Sequence, residues 1–145
     1  MRLVTYDDGS KPQAGVLIDS AIVPAAALDA PAQSVRGLLE RLDADGLAAL
    51  GASAREHGAS VELASVRLHA PVPDPQKIIC LGLNYRDHAA ESGQEPPAAP
   101  LWFAKFANSL AGSGEDVVLP AAHPDFVAYE AELAVVIGRP AHRVS

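Results

Sequence analysis

The sequence predicts an α+β fold, mostly β, arranged as two units, and three observations carry that reading. Short apolar runs separated by turn formers open the chain. A helical spacing of apolar residues replaces them from Ser34. Longer apolar runs return at Lys77–Leu83 and at Tyr129–Gly138, the first preceded by prolines and the second closed by glycine.

Met1–Tyr6 reads as a strand, and Asp7-Asp8-Gly9-Ser10-Lys11-Pro12 after it is a cluster of turn formers. Ala14–Ile18 and Ala21–Val23 follow as short strands joined by Asp19-Ser20. At Ser34 the period changes. Ser34 is placed to cap a helix whose Val35, Leu38, Leu39 and Leu42 form one apolar stripe. A second helix is expected over Leu47–His57, stopping at Gly58. His57 near its end suits the helix dipole or solvent. Val61–Leu68 is strand-like, and His69 at its end reads as structural, because no partner stands nearby in the sequence.

Pro71-Val72-Pro73-Asp74-Pro75 cannot continue a helix or a central strand, so 71–76 is a stiff connector. The expected domains are therefore a small α+β unit over 1–70, this linker, and a second unit over 77–145. Lys77–Leu83 is nearly continuous in apolar residues and suits a strand buried on both faces, with Cys80 as a small core residue. Leu101–Phe106 is a further strand beyond a Pro-rich loop.

Composition limits the function classes. The 145 residues are 49% hydrophobic and 20% charged, an ordinary globular balance, and carry a formal net charge of −7. A protein that binds nucleic acid by neutralising phosphates needs the opposite sign. One cysteine excludes an internal disulfide and a Cys-rich zinc module. The opening residues lack a signal-peptide pattern, and no apolar run approaches the ~18 residues of a membrane span. The expected setting is soluble, reducing and cytoplasmic.

Two constellations could carry chemistry. Asn84–Gly93 reads as a short helix capped by Asn84, with Asp87 in its first turn. His88 and Glu91 then stand at i and i+3 on one face. A carboxylate that holds one imidazole nitrogen leaves the other free to take a proton from water; the plainer account is an exposed ion pair. Tyr129–Gly138 reads as a strand, so Glu130 and Glu132 point the same way with Cα atoms roughly 6.5–7 Å apart. Ala134 and Val136 continue their face as an apolar floor. Two carboxylates there repel each other unless a cation intervenes, and magnesium or manganese fits oxygen ligands of this kind. A solvated edge-strand face is the alternative. Lys105 among apolar neighbours reaches toward an anionic substrate or else snorkels to water.

Together, Lys77–His88, then Phe103-Ala104-Lys105, then Tyr129–Ala134 resemble the fumarylacetoacetate hydrolase family, three motifs in the family's order. The likeness extends faintly upstream through Arg67–Pro73. It implies a mixed β-sandwich roll, of which this sequence holds the opening part, and a bound divalent metal, Mg²⁺ or Mn²⁺. It further implies that Glu130 and Glu132 are metal ligands and that His88 with Glu91 activates water from a lid. Lys105 and Tyr85 become candidate substrate-binding residues, although the family often has proline after that lysine and Phe106 stands here. A third carboxylate, in a motif like Asn-Asp-Val-Ser-Ala-Arg-Asp, follows the glutamate strand in the family. This sequence ends at Ser145, before such a motif.

The activity so implied is metal-dependent hydrolysis of a C–C bond in a β-diketo acid, such as an acylpyruvate or fumarylacetoacetate, through a metal-stabilised enolate. The same enolate serves decarboxylation of oxaloacetate-like acids and isomerisation of hydroxy-dienoates. The competing expectation is a non-catalytic, truncated chain that lacks the third ligand. The partners expected are a small oxo-acid and a second copy in a homodimer, with no nucleic acid and no membrane.

Overall fold

A computed structural model describes residues 1–144. Strand β1 (Arg2–Asp7) pairs antiparallel with β2 (Gln13–Ile18), Val4 opposite Gly15, across a turn in which Gly9 has φ +96°. Strand β3 (Ala21–Pro24) returns through Asp19-Ser20, with Asp19 in the left-handed region that short polar side chains tolerate. Helix α1 (Val35–Arg41) starts as its cap residue predicts: the Ser34 hydroxyl accepts the Gly37 N–H at 3.1 Å. Helix α2 (Ala44–Glu56) begins three residues earlier than its apolar spacing suggests. The cause is Asp43, whose carboxylate accepts the Gly46 N–H at 2.9 Å and sets the start of the helix.

The expected strand over Val61–Leu68 divides in two. Strand β4 (Val61–Glu62) pairs with β3, a 3₁₀ turn occupies Leu63–Ser65, and β5 (Arg67–Leu68) pairs with β1. The sheet order is β4-β3-β2-β1-β5, so consecutive strands lie on opposite edges. Across a flat sheet those edges would stand about 19 Å apart, four gaps of ~4.8 Å. The link from Glu62 to Arg67 reaches at most about 18 Å when fully extended, and much less with a 3₁₀ turn inside it. The sheet must therefore curl.

Strand alternation divides the core. Val16 and Val23 face α1 and α2 with Ala14, Val35, Leu38, Leu50 and Ala54. Leu17 and Ile22 face the other way with Tyr6, against Leu63, Val66 and Leu68. Gly15 is required by packing: a Cβ there would lie 2.4 Å from Ile22 Cγ2 and 3.0 Å from Tyr6 Cε1.

The chain forms two compact units, one of Met1–Val72 together with the residues from Ala111 onward, the other Pro73–Leu110. In the second, β6 (Ile78–Gly82) pairs antiparallel with β7 (Leu101–Lys105), and helix α3 (Arg86–Glu91) lies between them in sequence. Here the expectation of a strand buried on both faces fails. A two-stranded sheet has no layers to cover it, and Ile79 is 54% exposed. In the first unit, Tyr129–Gly138 forms no strand. Its alternation suits one, but among the described residues no strand pairs with it, and an unpaired strand leaves its backbone groups to solvent.

Candidate functional site

Leu83 takes φ +53°, a left-handed conformation unusual for its side chain, and turns the chain from β6 toward α3. Tyr85 is the cap residue, not Asn84, and no side chain closes that end. The first helical residues carry Asp87, favourable beside the N-terminal N–H groups. The other end is well closed. Gly93 at φ +63° donates its N–H to the Ala90 carbonyl at 3.1 Å, and the Gln94 N–H reaches the Ala89 carbonyl at 2.9 Å. This pair of bonds is the Schellman arrangement, which fixes where a helix of little more than one turn stops. Ala89 is buried and anchors α3, so His88 and Glu91 are left on its exposed surface, one turn apart. Asp87 and Glu91 also give this short helix two carboxylates against the cations Arg86 and, when protonated, His88.

Lys105 ends β7 opposite Ile78, exposed, in the same unit as Tyr85, His88 and Glu91. Glu130 and Glu132 belong to the other unit, on exposed chain without regular structure. Two oxygen donors two residues apart are the right chemistry for a hard divalent cation, which can be held by one or two carboxylates and water. Among the described residues no three His, Cys, Asp or Glu side chains gather to hold a metal. The donor type fits, and the donor number is that of a partial site.

A second polar constellation escapes a local reading of the sequence. His69, for which the sequence offers no neighbour, is paired with Asp7 at 2.5 Å between Nε2 and Oδ2, and both side chains are largely covered. The Gly9 N–H also bonds Asp7, at 3.0 Å. The bond from His69 first, then that from Gly9, holds the Asp7 carboxyl below the usual carboxylate range. Arg67 pairs with Glu115, whose other oxygen accepts the Gly112 N–H at 2.7 Å. The Gly112 bond, followed by Arg67, lowers Glu115 as well. These partners lie 62 and 48 residues apart, so sequence spacing gives no sign of them. An apolar groove of about 290 Å³, lined by Leu39, Leu42 and Leu47 among others, carries none of the candidate residues. No helix of the described residues is long and apolar enough to cross a membrane.

Comparison with known proteins places these residues in context. Residues 77–145 match the family described as fumarylacetoacetate (FAA) hydrolase C-terminal, a span that includes Tyr85, His88, Glu91, Lys105, Glu130 and Glu132. The chain is 46% identical over 86 residues to oxaloacetate tautomerase YisK of Bacillus subtilis (strain 168), covering 57% of this chain and 29% of that protein. It is 47% identical over 70 residues to the mitochondrial oxaloacetate tautomerase FAHD2A of Homo sapiens, covering 48% and 22%. A fumarylacetoacetate hydrolase domain-containing protein 2 homolog of Dictyostelium discoideum is 41% identical over 85 residues, covering 59% and 27%. The chain thus spans about a quarter of the length of these curated relatives. A solved protein from Mycobacterium smegmatis, provisionally described as HpcE, matches with a TM-score of 0.63 at 30% identity, over 83% of this chain and 41% of its own. The fold is the α+β, mostly β, arrangement expected for such a protein. Through residues 77–145 and the three motifs they contain, the chain belongs to the fumarylacetoacetate hydrolase family.

Proposed function

We propose that this chain carries part of an enzyme that moves a proton on a small 2-oxo acid, interconverting keto and enol forms. The observation behind the reading is the exposed His88–Glu91 pair on α3, inside the family-matched segment. The names of the similar proteins favour oxaloacetate-type tautomerisation over the C–C hydrolysis of a β-diketo acid. Both reactions pass through the same enolate.

His88 acts as the base, and Glu91 one turn away orients its ring. In tautomerisation His88 takes the proton from the carbon beside the oxo group and a proton is returned to the enolate oxygen. In hydrolysis it takes the proton from water instead. Lys105 and the Tyr85 hydroxyl bind the substrate's carboxylate. A divalent cation held by Glu130 and Glu132 would supply Lewis-acid stabilisation of the enolate. Assembly as a homodimer in the cytoplasm belongs to the same proposal.

The test assays oxaloacetate tautomerisation beside acylpyruvate cleavage, with and without magnesium. His88→Ala is expected to lower the rate on the order of 10²–10⁴-fold. Unchanged turnover would remove His88 from the mechanism. A second reading, a chain that is non-catalytic by itself, draws support from the exposed setting of Glu130 and Glu132 on chain without regular structure. Calorimetry separates the two: negligible magnesium binding by the 145-residue chain favours it, and tight stoichiometric binding counts against it.

A further inference from the structure

The segment Pro73–Leu110 leaves the first unit after Val72, and the chain rejoins that unit at Ala111. Both ends of this excursion are held at one edge of the five-stranded sheet. On the outgoing side the Thr5 hydroxyl donates to the Pro71 carbonyl at 2.7 Å, and the His69 N–H donates to the Thr5 carbonyl at 2.9 Å. On the returning side Gly112 lies so close to β5 that a Cβ there would stand 2.5 Å from the Leu68 carbonyl oxygen and 3.1 Å from His69 Cα. Glu115 then closes the turn. One carboxylate oxygen takes the Gly112 N–H, the other pairs with Arg67, and the Glu115 N–H reaches the Gly112 carbonyl at 3.2 Å. Asp7 and His69 hold the strand ends on which this rests.

We propose that Gly112, Glu115 and Arg67, backed by the Asp7–His69 pair, form a clasp closing the stem of the inserted segment, which opens locally and releases the chain from Ala111 onward while the sheet stays folded. The contacts at the clasp are mostly polar, and the Arg67 and Glu115 side chains are 61% and 29% exposed. The sheet beneath rests on fully buried apolar side chains. Opening one and melting the other therefore differ widely in cost, which is the condition for a separate local transition. The charges at the clasp are Asp7 from the end of β1, Arg67 and His69 from β5 and its end, and Glu115 from the returning chain. One acid from each side converges on Arg67 and His69, so added salt loosens the clasp.

Amide hydrogen exchange on the 145-residue chain tests this. Glu115→Gln, Arg67→Gln and raised salt should each speed exchange of the Gly112 amide roughly fivefold, the size expected for losing an exposed charge pair. Exchange of the Val4 and Val16 amides in the sheet should not change. Gly112→Ala opens the clasp by bulk without altering charge and should speed exchange of the Glu115 amide. The exchanged pair, Arg67→Glu with Glu115→Arg, should not restore the Gly112 amide, because a guanidinium at 115 offers its N–H no acceptor. Unaltered Gly112 exchange in both charge-removing variants overturns the proposal. So does acceleration of the sheet amides by the same factor, which would mean global destabilisation.

Discussion

Tyr6 and Tyr129 are the same residue in opposite circumstances, and so are Ile22 and Ile137. In the five-stranded sheet Tyr6 and Ile22 are fully buried; in the stretch around Glu130, Tyr129 is 98% and Ile137 73% exposed. Both regions show apolar residues at strand-like spacing. What separates them is pairing. Each strand of the N-terminal sheet has a neighbour, and its apolar faces meet the helices on one side and Leu63, Val66 and Leu68 on the other. Apolar spacing states which residues would share a face, and only a second element turns that face into a core.

The comparison can be broken by truncation. Ile22→Ala should cost about 2–5 kcal/mol, because a fully buried side chain leaves a cavity. Ile137→Ala should stay within about 0.5 kcal/mol, as a solvated position does. Urea denaturation of the two variants measures the gap, and equal losses would show that 137 is packed in solution. Overpacking is the next largest effect. Gly15→Ala must push against Ile22 and Tyr6 and should cost about 1–3 kcal/mol by the same measurement. The helix starts come third: Ser34→Ala and Asp43→Ala should each cost about 1 kcal/mol, with serine at 43 restoring most of the loss.

Acid sharpens the contrast most gently. Asp7, Asp8 and Glu115 are held below the ordinary carboxylate range, Asp8 chiefly by the Ser10 hydroxyl. Groups that ionise more readily when folded stabilise the native state above their unfolded values. That contribution fades as pH falls through the lowered folded ones, below about pH 4. The urea midpoint should drop over that interval, and Asp7→Asn should flatten the drop.

Local chemistry explains which parts of the structure could be read in advance. Ser34 as a cap, the hairpin turn at Asp19-Ser20, and Gly93 after α3 are signals contained within a few residues, and each stands where it was expected. The break at Leu63–Ser65 was not legible, because it answers to a distant requirement, that one short segment serve both edges of a curled sheet. Asp43 sets the start of α2 from outside the apolar periodicity, which begins only at Leu47. At the candidate site, the shared face of His88 and Glu91 followed from helix geometry alone. The parallel placement of Glu130 and Glu132 depended on a strand, and a strand depends on its neighbours. Asp7 with His69 shows the same limit from the other side, a contact made by the sheet between residues that nothing local connects.

The hairpin of β6 and β7 has a practical consequence. The chain's one tryptophan, Trp102, stands opposite Leu81, and its one cysteine, Cys80, stands opposite Phe103 on the neighbouring pair. Indole emission and any dye attached to the thiol therefore report from residues of the Pro73–Leu110 unit. A melting curve followed by either label follows those residues, while circular dichroism weighs the N-terminal sheet and its helices heavily. Disagreement between the two signals would count the cooperative steps in unfolding without a single substitution.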